Sequence, residues 1–174
     1  MAPSRIMLIP HAEKPQDDRP GVRARGLADM ASLNVRGWTR AGALARFFDP
    51  LDDRFAHPAL ARPDAILAAR YDARGESPSR RCTQTVKPTA RLLGRSVDQR
   101  FAKGQDAQAM RAALKLDGVV LLCWAHEQIP QLLRELPDAP QTPRVWPDER
   151  FDLVWVFNRQ AEGWRFTQVP QMLL

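Results

Sequence analysis

Two of the three histidines in the chain, His11 and His126, each follow on a short apolar run, "RIMLIP" and "GVVLLCWA". Lys14 stands three residues after the first, and Glu127 directly after the second. Imidazole can serve as nucleophile, proton donor or proton acceptor near neutral pH, and a nearby lysine adds a compact positive charge. A further cation comes from "SPSRRCTQT", where Arg80 and Arg81 fall in the opening turn of an expected helix. There a cation opposes the positive end of the helix macrodipole by ~0.3–1 kcal/mol, and a bound anion relieves the conflict. Backbone N–H groups at the helix start aim at the same place, so a phosphate would meet oriented amides and a guanidinium fork. Arg81 is the better candidate for that role. Arg80 reads as a solvated arginine partly offset by Glu76.

Residues so far apart in the chain meet only if strands bring them to one edge, and open α/β sheets bind ligands beyond the carboxyl ends of their strands. Residues 5–9 form a continuous apolar run, the mark of a strand buried on both faces of a parallel sheet. From Pro15 to Asn34 the chain lacks periodicity and reads as a long loop of the kind that often forms lids, with Asp17, Asp18, Arg19, Arg23 and Arg25 placed to shape substrate choice. Trp38, Ala41, Leu44, Ala45 and Phe48 then recur at helical spacing, with Asn34 as cap and Pro50 as stop. "PDAILAA" (63–69) predicts a second strand. Residues 77–94 predict a helix opened by Ser77 as cap and Pro78 at its first position, kinked or split at Pro88. A short strand near Val97, a helix over 107–115, a strand over 118–125 and a helix over 127–136 continue the alternation. Beyond a Pro-rich link (137–147), "FDLVWVF" and "WRFTQV" flank Gly163 as an antiparallel hairpin at a sheet edge. The whole predicts an α/β protein, a three-layer α/β/α sandwich with a mostly parallel central sheet, in one domain over residues 1–174.

Of the 174 residues 44% are hydrophobic and 26% charged, enough for a sizeable core, and the net charge is +6. The basic residues are spread among 20 acidic ones without a Lys/Arg block or interleaved aromatics, which argues against nucleic acid and leaves an acidic small substrate open. Cys82 and Cys123 form no disulfide or metal spacing and are expected to be buried thiols. No secretory segment or apolar span is evident, so the expected setting is a reducing cytoplasm with no membrane partner. His57 precedes a proline in a loop and is expected to be solvated, while Trp124 and Trp155 belong to the core. Oligomeric state leaves no signature.

Four segments, taken in order, carry a resemblance that spans nearly the whole chain: "IPHAEKP", "LNVRGWTRAGALARFF", "SPSRRCTQT" and "VLLCWAHEQIP". They resemble the Arg-His-Gly/Ala turn, the Leu-Thr-x-x-Gly-x-x-x-Ala segment, the Arg-Ala-x-Gln-Thr helix start and the second-histidine strand of the histidine phosphatases related to cofactor-dependent phosphoglycerate mutases. The resemblance implies a phosphoglycerate mutase-like fold and a phosphohistidine mechanism with no metal and no cofactor. His11 would be the nucleophile, and His126, Arg81 and Lys14 would hold the phosphoryl oxygens. Glu127 would be the proton donor to the leaving alcohol, with Glu13 as its rival. The substrate would be a phosphorylated small molecule or a phosphoprotein.

At position 10 the chain departs from the family, which carries an arginine on the phosphoryl group where this chain has Pro10. Proline offers no donor, and by analogy with deleting one transition-state donor the loss is worth roughly 10²–10³ in rate unless another cation substitutes. Lys14, Arg5, Arg74 and Arg80 are the candidates. Two function classes follow: a phosphomonoester hydrolase, or an inactive relative whose pocket binds an anionic ligand or partner. A metal hydrolase using His11, His126 and Glu13 is a third and weaker reading, since the ligand pairs such sites space closely are missing.

Overall fold

A computed structural model describes residues 2–75 and 78–174. In chain order the elements are β1 (Pro3–Pro10), α1 (Val35–Phe48), β2 (Ala65–Ala68), α2 (Arg81–Leu92), β3 (Val97–Asp98), α3 (Asp106–Ala113), β4 (Gly118–Trp124), α4 (Ile129–Leu133), β5 (Leu153–Arg159) and β6 (Trp164–Pro170). A 3-10 turn over His126–Gln128 leads into α4. The six strands form one sheet in the order β3-β2-β4-β1-β5-β6. The first four are parallel, while β5 runs antiparallel to β1 and to β6. The expected class, a three-layer α/β/α sandwich with a mostly parallel sheet, is the one observed.

Handedness decides the layers. The connections β1-α1-β2 and β2-α2-β3 step in one direction along the sheet, whereas β3-α3-β4 steps back. Right-handed crossovers therefore put α1 and α2 on one face and α3 on the other, and the helix pairs that touch are α1 with α2 and α3 with α4. Strand β4 lies between β1 and β2, yet its chain leaves toward the opposite face. Such a reversal opens a crevice at the carboxyl ends of the strands, and His11 and His126 sit at its rim.

The apolar runs of β1 and β4 are buried from Ile6 and Val120 onward, with Trp124, Trp155, Phe48 and Phe157 the largest fully buried side chains. Cys82 and Cys123 are both buried free thiols. Among the described residues no helix is long and apolar enough to cross a membrane.

Two helices differ from expectation. Helix α2 begins at Arg81 rather than Pro78, with Arg80 N–H bonded to Ala31 C=O in the long loop at 2.8 Å, and α4 covers only Ile129–Leu133 of the expected 127–136, after a 3-10 turn. The expected cap Ser77 and the offsetting Glu76 lie outside the described residues. Pro88 does not split the helix; the buried Thr85, Val86, Thr89 and Ala90 press both halves onto the sheet. Helix α1 starts as expected, with Asn34 Oδ1 accepting from Gly37 N–H at 2.8 Å.

Gly37 is where α1 comes closest to the turn after His11. A Cβ there would lie 2.6 Å from Glu13 C=O and 3.0 Å from its amide nitrogen. Gly37→Ala is expected to cost about 1–3 kcal/mol, the range for overpacking a filled interior, read as a lower urea midpoint. An unchanged midpoint would mean that this contact yields freely.

Candidate active site

The turn that carries His11 is held by backbone bonds to three separate elements. His11 N–H donates to Trp124 C=O at the end of β4 (3.2 Å), and Ala12 N–H to Thr85 Oγ1 on α2 (2.9 Å). Asn34, the α1 cap, donates its own N–H to Glu13 C=O and its Nδ2 to Lys14 C=O. Gln84 ties the neighbouring loop to α2, accepting from Leu33 N–H and donating to Ser32 Oγ. The Gln-Thr pair of "RRCTQT" thus fastens the His11 turn to the helix that presents Arg81.

His11 is buried, and its Nδ1 lies 2.7 Å from Ala12 C=O. A carbonyl only accepts, so Nδ1 carries the proton and Nε2 the lone pair. Burial is the main cause that pushes the His11 pKa down from 6.5 to about 4, with the charges of Arg81 and His126 adding to it against the Ala12 bond and Glu127. The imidazole is therefore neutral at pH 7. The unfolded chain takes up this proton at higher pH than the native one. The stabilisation from keeping His11 neutral is complete above pH 6.5 and lost as the pH falls toward 4, on the order of 3 kcal/mol. Urea titrations from pH 7.5 to 4 should show that decline, and His11→Gln should flatten it. Equal slopes in both proteins would contradict the depressed value.

One cavity of about 460 Å³ is lined by His11, Lys14, Arg81, His126 and Glu127 together. The rings of His11 and His126 are 6.0 Å apart at 74°, and Phe151 flanks His11 at 6.0 Å. Arg81 donates to Met30 C=O at 3.1 Å, but its Nε is buried with no partner among the described residues. His126 Nδ1 is likewise buried without a hydrogen bond among them, 3.5 Å from Glu127 Oε2, while its Nε2 is 3.5 Å from Asp148 Oδ1. Each unpaired buried group costs about 1–3 kcal/mol.

The two carboxylates considered as proton donors part company. Glu127 is in the cavity, hydrogen-bonded to Lys103 Nζ. Burial alone would raise its pKa, but the bond to Lys103 and the charges of Lys103 and His126 hold it below the usual carboxylate range. Glu13 is not in the cavity. Its carboxylate is gripped by Arg40 through Nε and Nη2 (2.8–3.1 Å) and lies 3.5 Å from Arg36. It is thus withdrawn from both the acid role and a ligand set with the histidines. Among the described residues no three His, Cys, Asp or Glu side chains group as metal ligands.

Of the cations considered in place of an arginine at position 10, Lys14 alone lines the cavity. Arg5 lies at the other end of β1, bonded to Asn158. Arg80 is not freely solvated: its Nε is 3.4 Å from Asp29 and its guanidinium stacks 3.7 Å over Tyr71. Arg74 is not among the lining residues, whereas Arg70 and Lys103, which no sequence pattern above singled out, are. Arg70 follows directly on the β2 run, so the strand-exit rule that found His11 applied to it equally. Lys103 and Asp148 sit in loops with no pattern to mark them.

The long loop bonds to itself and contributes no residue to the lining of the cavity. Asp29 accepts from Arg23 Nε, Ser32 Oγ and Ala31 N–H, and Asp17, Asp18, Arg19, Arg23 and Arg25 do not line the cavity.

No protein-family model and no curated protein matches the chain. Solved structures do. A candidate phosphohistidine phosphatase, SixA, from Agrobacterium tumefaciens is 18% identical, with 96% of this chain and 97% of that one covered and a TM-score of 0.48. A mycobacterial glucosyl-3-phosphoglycerate phosphatase complexed with VO3 is 12% identical over 94% and 97% of the two chains, at 0.49. An open reading frame product of Mycobacterium tuberculosis is 12% identical over 96% of each, at 0.48. At these values they are what the chain is similar to in outline, and the residues at position 10 onward must speak for its chemistry.

Proposed function

We propose that the chain is a metal-independent phosphomonoester hydrolase of the histidine phosphatase type, acting through a phosphohistidine on His11. The observation that carries this reading is a buried neutral imidazole, its tautomer set by Ala12 C=O, in one cavity with Lys14, Arg81, His126 and Glu127. His11 Nε2 attacks phosphorus, the bond from phosphorus to the ester oxygen breaks, and the alcohol leaves with a proton. Water then attacks the phosphohistidine, releasing inorganic phosphate and restoring Nε2. Arg81, His126 and Lys14 stabilise the charge that gathers on the equatorial oxygens, which is most of what phosphoryl transfer requires.

Glu127 is the carboxyl group of this cycle. Ionised in the free protein, it suits the water-activating half. A phosphoryl dianion brought beside it raises its affinity for a proton, which the protonating half needs. The substrate is a phosphorylated small molecule or a phosphorylated protein side chain, and the setting is cytoplasmic. With Pro10 in place of an arginine, turnover is slower than a full cage would give, by roughly 10²–10³.

Pro10 also favours a second reading, an inactive relative that binds an anionic ligand or partner. Incubation with p-nitrophenyl phosphate in the presence of chelator separates the two. The hydrolase releases phosphate and, stopped early, carries an acid-labile, base-stable phosphoryl group on the peptide containing His11. A protein that does neither, but gains turnover in Pro10→Arg, is the binder.

A further inference from the structure

We propose that the cavity at the N-terminal end of β1 is a second anion site, built for a small molecule that carries several phosphate charges. It lies six residues along β1 from His11, about 20 Å at the rise of a strand, on the edge of the sheet away from His11 and His126. Its volume is about 650 Å³, within the range of small-molecule pockets, roughly 300–1,000 Å³.

Two strands supply its arginines in register, with a third strand between them. Arg5 on β1 stands opposite Asn158 on β5, and Asn158 stands opposite Arg165 on β6. Arg5 Nε donates to Asn158 Oδ1, and its two amino groups have no acceptors among the described residues. Arg159 lies 4.9 Å over the ring of its cross-strand neighbour Trp164, which puts its guanidinium on the other face of the sheet. The third donor is His57, whose Nδ1 accepts from Ala59 N–H at 3.0 Å, so the ring proton is on Nε2.

The lining holds no aspartate or glutamate, in a chain that has 20 of them. Among the described residues, Arg5 and Arg165 lack the carboxylate partners that hold Arg62, Arg100 and Arg150. Two guanidinium groups beside one concavity repel each other until an anion neutralises them. Burial of Arg5, which lowers its pKa, adds to that pressure. Two strand spacings separate the backbones of Arg5 and Arg165, about 10 Å, a span that suits two or more linked phosphates better than one. The concave shape suits a small ligand rather than a bilayer or a duplex.

The test is a calorimetric titration with tripolyphosphate in the Arg81→Ser background, which disarms the cavity at His11. Binding at one site is expected, weakening by roughly tenfold in Arg165→Ser, as for loss of one charge-assisted hydrogen bond, and by less than twofold in Arg159→Ser, whose guanidinium lies on the other face of the sheet. Both side chains are exposed, and unchanged ligand-free melting would confirm that the variants fold. ATP binding more tightly than tripolyphosphate identifies a nucleotide as the source of the phosphates, and equal binding an inorganic chain. Absence of binding, indifference to Arg165→Ser, or displacement of tripolyphosphate only by anionic vesicles or DNA overturns the proposal. None of these outcomes bears on His11, because Arg159 and Arg165 do not line its cavity.

Discussion

His11→Ala is expected to lower phosphate release from p-nitrophenyl phosphate by roughly 10³-fold or more, to the rate of the buffer. Removing a nucleophile has an effect of that size because positioning and charge stabilisation alone retain only a small part of catalysis. The variant removes the lone pair on Nε2 and keeps Arg81, His126 and Lys14, so an anion should still bind. Weakened turnover with retained phosphate binding is the signature. Release that survives the substitution would hand the nucleophile's role to another group. The same variant must lose the acid-labile label, since no other residue in the cavity presents a buried imidazole with a fixed tautomer.

A comparably large effect, on stability, is expected two residues away. Glu13 and Arg40 are both buried, with side chains 10% and 5% exposed, and Arg40 also donates to Gln171 Oε1 at 3.0 Å. Arg40→Met would leave the Glu13 carboxylate in the interior with only the half-exposed Arg36 at 3.5 Å, and breaking a buried pair from one side costs up to about 3–5 kcal/mol. Against a typical total of 5–15 kcal/mol that is a substantial fraction, visible as a large drop in urea midpoint. Adding Glu13→Gln should recover part of it, because the loss comes from the orphaned charge rather than from the pair itself. A fall of under about 1 kcal/mol in the single variant would mean that water reaches Glu13.

These two residues, neighbours in one turn, mark what could be read in the sequence. The strands were legible because β1 and β4 are continuous apolar runs, and the exit rule then led to His11, Lys14, His126 and Glu127. Asn34 was legible as a cap because a short amide before an apolar helix has few other uses. The start of α2 was not. Ser77-Pro78 carries a strong local signal for a helix opening, but the backbone of Arg80 is claimed by Ala31, about fifty residues earlier, and no local pattern records that. Arg5 and Arg80 were considered for the cavity on charge alone. Strand direction sends Arg5 to the far end, and Asp29 with Tyr71 takes Arg80. The contrast between Glu13, sealed against Arg40, and Glu127, open beside Lys103, was equally invisible, because both follow a histidine closely and differ only in what the fold brings to them.

The amides and carbonyls of residues 11–14 are fastened to β4, α2 and the start of α1, the farthest anchor being Trp124. During synthesis the ribosome delivers His11 long before that anchor exists. A growing chain thus carries an unfastened, solvated histidine until residue 124 has emerged, and only then can the imidazole surrender its proton to burial. Translation products that stop short of residue 124 hold His11 and lack the carbonyl that fastens its amide.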